Sequence, residues 1–426
     1  MKNRLSRLDP FFYGLAELGP SSIDIFLKVY LLLYFNVILG LSPTLTSAAI
    51  GLGVLWDALI DPWIGVLSDR YYKKHGHRKL LIYCAVVIAG FLFLAMWRFP
   101  KSGEWATFFF LFAVSALLNS AISLFSVPYI AIANDLIKDN EERKPWTAWR
   151  MAFFNIGSFA GLVVPAFFLT QNGEVVDPAA PYKSATVVLV AMMLVFSSAS
   201  IFKIYRSRRF VAGEGAHDAK IKLRDLLKDR NYLRLMISYF VVNCGLGLNS
   251  ALALYYYKDY LEFTEKQTQT VLVVFLTVFT LAIPLWVYLT RHFDKQKLIR
   301  FGAFFMGVYT MLAFPNFKGV SFGVILSFAA GLGGILLGVA VVLEIYLSEF
   351  LKQKEEETGQ NVSGQYLGIW KMAAKISRGV AIGLAGPILV AAKNPQVLAN
   401  YFGWGVGLFF ILSALVISIP VREQTQ

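Results

Sequence analysis

Early in the chain stands the stretch Trp56-Asp57-Ala58-Leu59-Ile60-Asp61-Pro62. It places two carboxylates inside an otherwise apolar segment that runs from about residue 46 to residue 67. A helix of that length spans a bilayer, and a charge at bilayer depth costs about 3 kcal/mol or more. A spacing of four residues puts Asp57 and Asp61 on one helical face, about 6 Å apart along the axis. We interpret the pair as a cation site; the alternative is that both side chains cap a helix or bond to neighbouring backbone.

The composition places the whole chain in the membrane class. Hydrophobic residues make up 57% of it and charged residues only 16%, with 36 Phe and 9 Trp, and the mean hydropathy is +0.58. No soluble domain of this length needs so much apolar material for its core. A net charge of +13 raises the question of nucleic-acid binding. We expect no such partner, because the positive residues alternate with the apolar segments.

Twelve mainly apolar segments follow one another along the chain. They lie at approximately 11–39, 46–67, 80–98, 105–136, 147–170, 184–204, 233–257, 267–290, 298–316, 320–348, 364–391 and 398–420. Irregular backbone cannot face lipid, and a barrel would show short alternating strands, so we predict an all-α membrane protein with twelve transmembrane helices. The polar insert 206–230 predicts a cytoplasmic linker, ending in a short surface helix, between six-helix bundles at 1–205 and 231–426. That arrangement is typical of the major facilitator fold, in which a solute binds between the halves.

The positive residues predict the orientation of the helices. The N-terminal segment and every second connection hold 28 of the 40 Lys and Arg residues, whereas the alternate connections hold 7. Because Lys and Arg accumulate on the cytoplasmic side, we predict that both termini are cytoplasmic. The other five positive residues lie inside predicted helices and need a separate explanation: Lys28, Arg150, Lys371, Lys375 and Arg378.

Four stretches of the chain carry a resemblance to a known family. They are residues 56–70 with His77-Arg78-Lys79; Pro128-Tyr129-Ile130-Ala131 with Asp135, Asp139, Glu142-Arg143 and Arg150; Pro284-Leu285-Trp286 with Arg291-His292-Phe293; and Tyr366-Leu367-Gly368-Ile369-Trp370 leading to Lys375. In this order they resemble the glycoside-pentoside-hexuronide:cation symporters, the melibiose permease family of the major facilitator superfamily. The resemblance covers essentially the whole chain. It implies a multi-pass protein of the plasma membrane, or of the inner membrane in a bacterium, that couples entry of Na⁺ or H⁺ to uptake of a sugar or glycoside by alternating access.

The resemblance also assigns roles to individual residues. Asp57 and Asp61 match the carboxylates that bind the coupling cation, a metal site if the cation is Na⁺, and Ser123 falls where the family has a hydroxyl ligand. The implied substrate cavity includes Ser21, Ser126, Tyr129, Arg150 and Lys375. The implied cytoplasmic gate includes Asp69, Arg70, Arg78, Asp135 and Arg143.

Two departures from the family pattern affect these expectations. Sugar-transporting members hold the sugar hydroxyls with one carboxylate of helix one and another of helix four, and here those positions are Ser21 and Ser126. Ile60 replaces a polar residue between the cation carboxylates, which leaves proton coupling open. Asp24 lies about one turn deeper than the missing acid on a polar stripe of helix one. It either binds substrate or pairs with Lys28 at i+4.

Helix eleven has a positive face. It carries Lys371, Lys375 and Arg378 at spacings of four and three. We predict that Lys375 contacts an anionic group or returns charge to the cation carboxylates when the cation leaves. Glu344 of helix ten is either the ion-pair partner of Lys371 and Arg378 or a structural residue.

Two other functions remain open. The stretch Thr147-Ala148-Trp149-Arg150-Met151, and the lack of the acid on helix one, are similar to the sodium-dependent lysophosphatidylcholine symporters of the same branch. An amphiphile whose phosphate group contacts Lys375 is therefore the second candidate solute. A non-transporting receptor or scaffold is the third candidate function. Neither a phosphate-binding glycine loop nor a nucleophile elbow occurs, so we predict no enzyme, no cofactor beyond the coupling ion, and a monomer in the lipid bilayer.

Overall fold

The structure is a computed structural model that describes residues 8–100, 102–137, 140–170, 177–207, 229–358 and 363–419. Within these ranges twelve helices are long and apolar enough to cross a membrane, and no strand occurs. The helices are α1 (Asp9–Ile38), α2 (Pro43–His75), α3 (Lys79–Met96), α4 (Glu104–Leu136), α5 (Asn140–Leu169), α6 (Ala180–Ser207), α7 (Arg230–Tyr260), α8 (Glu265–His292), α9 (Lys295–Asn316), α10 (Phe322–Thr358), α11 (Ser363–Ala391) and α12 (Pro395–Ser418). The predicted fold class is confirmed. Most of the predicted linker and its surface helix, 206–230, lies outside the described residues.

The helices agree with the predicted apolar segments except at some ends. The largest extensions are those of α2 to His75 and of α10 to Thr358. The added turns are rich in charged residues, which hydropathy excludes although Lys and Glu are good helix formers. Gly76 then ends α2 with φ 71° and donates its backbone N–H to the Tyr72 carbonyl, a left-handed cap that favours glycine.

The chain forms two compact units, Met1–Gly215 (unit 1) and Ala216–Gln426 (unit 2). Unit 1 contains α1–α6 and unit 2 contains α7–α12. The same pairs of helices pack together in each unit: the first with the fifth, the second with the fourth, and the third with the sixth. Each unit therefore buries its core by the same pattern of helix contacts, which is the internal repeat of a transporter built from two similar halves.

Both units also share a distortion at the end of their first helix. Helix α1 ends in the π-helical turn Tyr34–Ile38, and α7 ends in the π-helical turn Tyr256–Tyr260. The Tyr34 hydroxyl donates to the Trp97 carbonyl just after α3, at 2.8 Å, and the Tyr256 hydroxyl donates to the Phe314 carbonyl of α9, also at 2.8 Å. Each tyrosine thus ties the first helix of its unit to the end of the third. Hydropathy could not predict these turns, because widening a turn by one residue keeps the segment apolar.

Small residues set the distance between α1 and α5. A Cβ at Gly157 would overlap the Ser21 hydroxyl and the Leu18 carbonyl of α1, and a Cβ at Gly161 would overlap the Ser22 carbonyl. The two glycines are four residues apart, the spacing that lets membrane helices approach backbone to backbone. The close contact of α1 and α5 therefore depends on their missing side chains.

Gly157→Ala is expected to lower the thermal unfolding temperature of the purified protein in detergent. Overpacking a tight interface costs about 1–3 kcal/mol, more than the roughly 1 kcal/mol that Ala gains over Gly in a helix interior. Gly368→Ala is the matched control, because no atom lies within 4 Å of a Cβ at that helical position. The control should leave the unfolding temperature unchanged or raise it. Equal unfolding temperatures for the two variants would contradict the tight contact.

Candidate functional site

The predicted cation carboxylates lie where α2 packs against α4. The helices approach closely at Gly53, where a Cβ would stand 2.7 Å from the Cβ of Ser115. One turn along, Asn119 Nδ2 donates to the Gly53 carbonyl at 3.3 Å, and the Trp56 indole N–H donates to Ser120 Oγ at 3.1 Å. Polar side chains of α4 thus follow α2 turn by turn. Such interhelical hydrogen bonds hold membrane helices in one register.

Ser123 continues this row and reaches the first carboxylate. Its Oγ donates to Asp57 Oδ1 at 2.8 Å, and the two residues are only 3% and 5% exposed. Asp61 lies one turn further along α2, half-buried, with its Oδ1 enclosed by the protein. The structure therefore brings Ser123 and Asp57 into contact, as the resemblance implies, beside Asp61. Two carboxylates and a hydroxyl offer the oxygen ligands that hard cations take.

This set lacks the ligands of a transition-metal centre. Among the described residues no group of three or more His, Cys, Asp and Glu side chains is arranged to hold a metal ion. Transition metals prefer imidazole and thiolate ligands, and Asp57, Asp61 and Ser123 supply neither.

Arg150, predicted to line the substrate cavity, lies half-buried on α5 and interacts electrostatically with two residues of α1, Tyr13 and Glu17. Glu17 stands at the break between the helical segments Asp9–Leu15 and Leu18–Leu33. Its Oε2 is buried and has no hydrogen-bond partner among the described residues. Glu17 lies outside the four family motifs. The feature of the sequence that points to it is its place on the polar stripe of helix one, seven residues before Asp24.

Two predicted substrate residues, Ser21 and Tyr129, lie inside packed interfaces. Ser21 is 2% exposed, and its hydroxyl donates to the carbonyls of Glu17 at 2.7 Å and Leu18 at 3.2 Å. Tyr129 is fully buried, and its hydroxyl donates to the Tyr13 carbonyl at 2.6 Å. A serine in a helix can satisfy its hydroxyl on the preceding turn, and a buried tyrosine hydroxyl needs a partner. Both hydroxyls are therefore satisfied within the packing of unit 1, and a role of either residue at the substrate stays a prediction.

The structure shows the pairing that was one of the two alternatives for Asp24. Asp24 forms an ion pair with Lys28 on the same helix, with about a third of each side chain exposed (34% and 29%). Ser126 and Lys375 lie half-buried on α4 and α11. Their roles at the substrate stay predictions.

Among the predicted gate residues, Arg78 makes the most contacts. The residue is buried at the start of α3, where its guanidinium pairs with Asp69 at 2.9 Å, donates to Ser68 Oγ and stacks over the ring of Tyr72, 4.7 Å from its centroid. The backbone N–H of Arg78 donates to the Tyr205 hydroxyl of α6 at 3.1 Å. Arg78 thus joins the ends of α2, α3 and α6.

The other predicted gate residues lie at the surface and around the next connection. Arg70 is exposed on α2. Arg143 donates to the Ile137 carbonyl at 2.8 Å and so bridges the connection from α4 to α5. Asp135 lies in the last turn of α4, and Asp139 lies outside the described residues. The Asp69–Arg78 pair is a direct contact between two predicted gate residues.

An apolar cavity of about 480 Å³ lies beside the cation carboxylates in unit 1. Its walls come from α2, α3 and α4 and include Trp63, Leu67, Ile88 and Leu117. Trp63 and Leu67 are exposed. The polar group in the lining is Ser120, whose hydroxyl is bonded to the Trp56 indole. The cavity suits an apolar chain and offers little to a polar solute.

The chain matches the model of the family described as MFS/sugar transport protein over residues 12–416. It belongs to this family. The predicted resemblance to major facilitator symporters is thereby confirmed, and the family consists of transporters, not enzymes.

Three relatives and one solved structure show how far the similarity extends. The uncharacterized symporter sll1374 of Synechocystis is 27% identical over 158 residues, which cover 36% of this chain and 29% of that protein. Sodium-dependent lysophosphatidylcholine symporter 1-B of Danio rerio is 23% identical over 99% of this chain and 88% of its own. The putative glycoside/cation symporter YagG of Escherichia coli is 23% identical over 63% of this chain and 58% of its own. A crystal structure of the nucleoside transporter NupG superimposes with a TM-score of 0.69 at 11% identity, covering 96% of this chain and 98% of that one, and so shares the fold.

Arg78→Ala is expected to lower the thermal unfolding temperature more than Arg70→Ala does. Losing a buried hydrogen bond to a charged group costs about 1.5–3 kcal/mol, whereas an exposed surface substitution stays within about 0.5 kcal/mol. Arg70 is the matched control, because it belongs to the same motif and is exposed. Thermal unfolding of both purified variants measures the difference. Equal losses would show that the buried contacts of Arg78 add nothing to stability.

Proposed function

We propose that the protein is a cation-coupled symporter that carries a small organic solute by alternating access, with Asp57, Asp61 and Ser123 as its coupling site. The observation that carries this proposal is the hydrogen bond of 2.8 Å from Ser123 to the buried carboxylate of Asp57 inside a spanning helix. A carboxylate inside a spanning helix is costly, so such groups are rare and mark ion or substrate sites. The printed names of the relatives, which include sodium-dependent and glycoside/cation symporters, support cation coupling.

The coupling mechanism follows from the two like charges. Asp57 and Asp61 repel each other at low dielectric, and a bound cation removes that penalty. The loaded protein then favours the state in which the solute is occluded, because the cation binds this state more tightly than the open one. A membrane potential that is negative inside adds roughly 2.3 kcal/mol per charge per 100 mV to the inward drive. Na⁺ is the first candidate cation, because the name of the relative from Danio rerio includes sodium dependence. H⁺ is the second, because Ile60 contributes no oxygen ligand to a sodium ion.

A sugar or glycoside is the first candidate solute. The description of the family and the name of the E. coli relative support it. Glu17 and Arg150 provide a carboxylate and a guanidinium that interact across α1 and α5. Sugar hydroxyls bind to such groups, since each hydroxyl donates to one and accepts from the other.

The second candidate is a lysophospholipid or a similar amphiphile. The apolar cavity of about 480 Å³ beside the cation carboxylates favours it, because the cavity fits a hydrocarbon tail. The name of the relative from Danio rerio, a lysophosphatidylcholine symporter, also supports this candidate. A non-transporting scaffold is the third candidate, and the retained charges of α2 speak against it.

Asp57→Asn is expected to abolish concentrative uptake into proteoliposomes while the protein stays folded and inserted, because a neutral amide cannot hold the cation. Ser123→Ala should raise the cation concentration that gives half-maximal thermal stabilisation about tenfold or more, the equivalent of one hydrogen bond to a charged group. Ser158→Ala is the matched control, because this buried serine donates to the Phe154 carbonyl of its own helix.

Accumulation driven by a cation gradient in Asp57→Asn would rule out the assigned coupling site. Sodium, lithium and pH are to be varied in turn on the wild type. A wild type that no cation stabilises would favour the scaffold. A panel of methyl glycosides and lysophospholipids, tested with and without sodium, separates the first solute candidate from the second.

We also propose that the protein lies in the plasma membrane with both termini cytoplasmic. The uneven distribution of Lys and Arg supports this orientation. The test introduces single cysteines at Gly76 and at Gly319 in a background without Cys84 and Cys244, and treats intact cells with an impermeant thiol reagent. The two positions should lie on opposite sides of the membrane. Only the cysteine at Gly319 should react from outside. Labelling of the cysteine at Gly76 from outside would reverse the proposed orientation.

A further inference from the structure

Glu344 is a carboxylate of unit 2 on α10, four residues before the end of the apolar segment predicted at 320–348, and the helix continues beyond that segment to Thr358. Its side chain is exposed at the surface of this unit. A carboxylate that faces lipid is costly, so exposed carboxylates in spanning segments face water or a polar ligand. We therefore expect the open side of Glu344 to face a polar space.

Two neutral side chains from other helices orient this carboxylate. The indole N–H of Trp370, on α11, donates to Glu344 Oε1 at 3.0 Å. The hydroxyl of Tyr239, on α7, interacts with the same carboxylate. The two rings are stacked with centroids 3.8 Å apart and planes at 15°. Glu344 is thus held by donors from two helices that fix each other's position.

The described contacts of Glu344 match the structural role that was one of its two alternatives. Its side chain accepts a hydrogen bond from the Trp370 indole and interacts with the Tyr239 hydroxyl, both of which are neutral donors. An ionised carboxylate has about four lone-pair sites. Trp370 and Tyr239 occupy part of them, so the exposed side of the group can accept further hydrogen bonds.

We infer that Glu344, oriented by Tyr239 and Trp370, is a solute-binding residue that accepts hydrogen bonds from neighbouring hydroxyl groups of a sugar or glycoside. The inference rests on the proposed transport of such a solute. A carboxylate is the acceptor that a vicinal pair of hydroxyls can address with both donors at once.

The aromatic neighbours argue against a choline group as the ligand. A quaternary ammonium has no hydrogen to donate and is bound by the open faces of aromatic rings. Trp370 is only 1% exposed, and one of its faces is covered by Tyr239. The group that stays accessible is the carboxylate, which selects hydrogen-bond donors.

The test uses the purified full-length protein in saturating sodium. Dissociation constants are measured by calorimetry for a panel of methyl glycosides, and then for the monodeoxy analogues of the tightest one. Glu344→Gln should weaken glycoside binding about tenfold or more, the loss of hydrogen bonds to a charged acceptor. The sodium concentration for half-maximal thermal stabilisation should not change. Removing the hydroxyl that binds Glu344 should weaken binding in the wild type and have little further effect in the variant.

Two further variants complete the experiment. Glu356→Gln is the matched control, because Glu356 is an exposed carboxylate of the same helix that pairs with Lys352 at 3.8 Å. It should bind glycosides like the wild type. Trp370→Phe keeps a ring for stacking on Tyr239 and removes the donor to Glu344. It should weaken binding less than Glu344→Gln does, and its response to the deoxy analogues tests the inference if Glu344→Gln does not fold.

The possible outcomes separate the inference from the proposed function. A wild type that binds glycosides, with equal affinity in Glu344→Gln and a lower unfolding temperature, would show that Glu344 only joins helices and would overturn the inference alone. A wild type that binds no glycoside overturns the proposed solute and the inference together. Weaker glycoside binding in Glu344→Gln with an unchanged sodium response, and loss of the preference for one hydroxyl, supports the inference.

Discussion

A charge inside a spanning helix has to be compensated where helices meet, and the arrangement of both units follows from this constraint. Asp57 is compensated by the hydroxyl of Ser123 on the facing helix, and Asp24 by Lys28 one turn away. In unit 2 the carboxylate of Glu344 accepts the indole N–H of Trp370. The contacts of Ser123 and Trp370 join two helices at one defined position, so these two also fix helix register.

This register is supported by close packing. Gly53 lets α2 approach α4, and Gly157 and Gly161 let α1 approach α5 so closely that a Cβ at either glycine of α5 would overlap atoms of α1. Lipid tails are as apolar as the helix surfaces, so close contact and interhelical hydrogen bonds have to supply the association energy. The two units reach the same set of helix pairs by this route, and each ends its first helix in a π-helical turn. The helices around the cation carboxylates are thus held by the same kind of close packing that associates the other helices of each unit.

The cation end and the solute end of the proposed transporter differ in their support. Ser123 and Asp57 are in contact as the family resemblance implies. Ser21 and Tyr129, which the resemblance places at the solute, have hydroxyls that are satisfied within the packing of unit 1. The polar groups with capacity for a solute are Glu17 beside Arg150, at a break in α1. The apolar cavity beside α2 adds a surface that suits a hydrocarbon chain.

The sequence by itself determined the fold class and the twelve spanning helices, because bilayer thickness and backbone hydrogen bonding leave few alternatives for apolar segments of this length. Only the tertiary structure decided which partner each polar side chain takes. Ser21 donates to its own backbone, and Glu344 accepts a hydrogen bond from Trp370. A polar group in an apolar helix can bond to its own backbone, a neighbouring helix or a solute at free energies that differ by about 1 kcal/mol. Periodicity cannot rank such choices, because they depend on which helices meet and how closely.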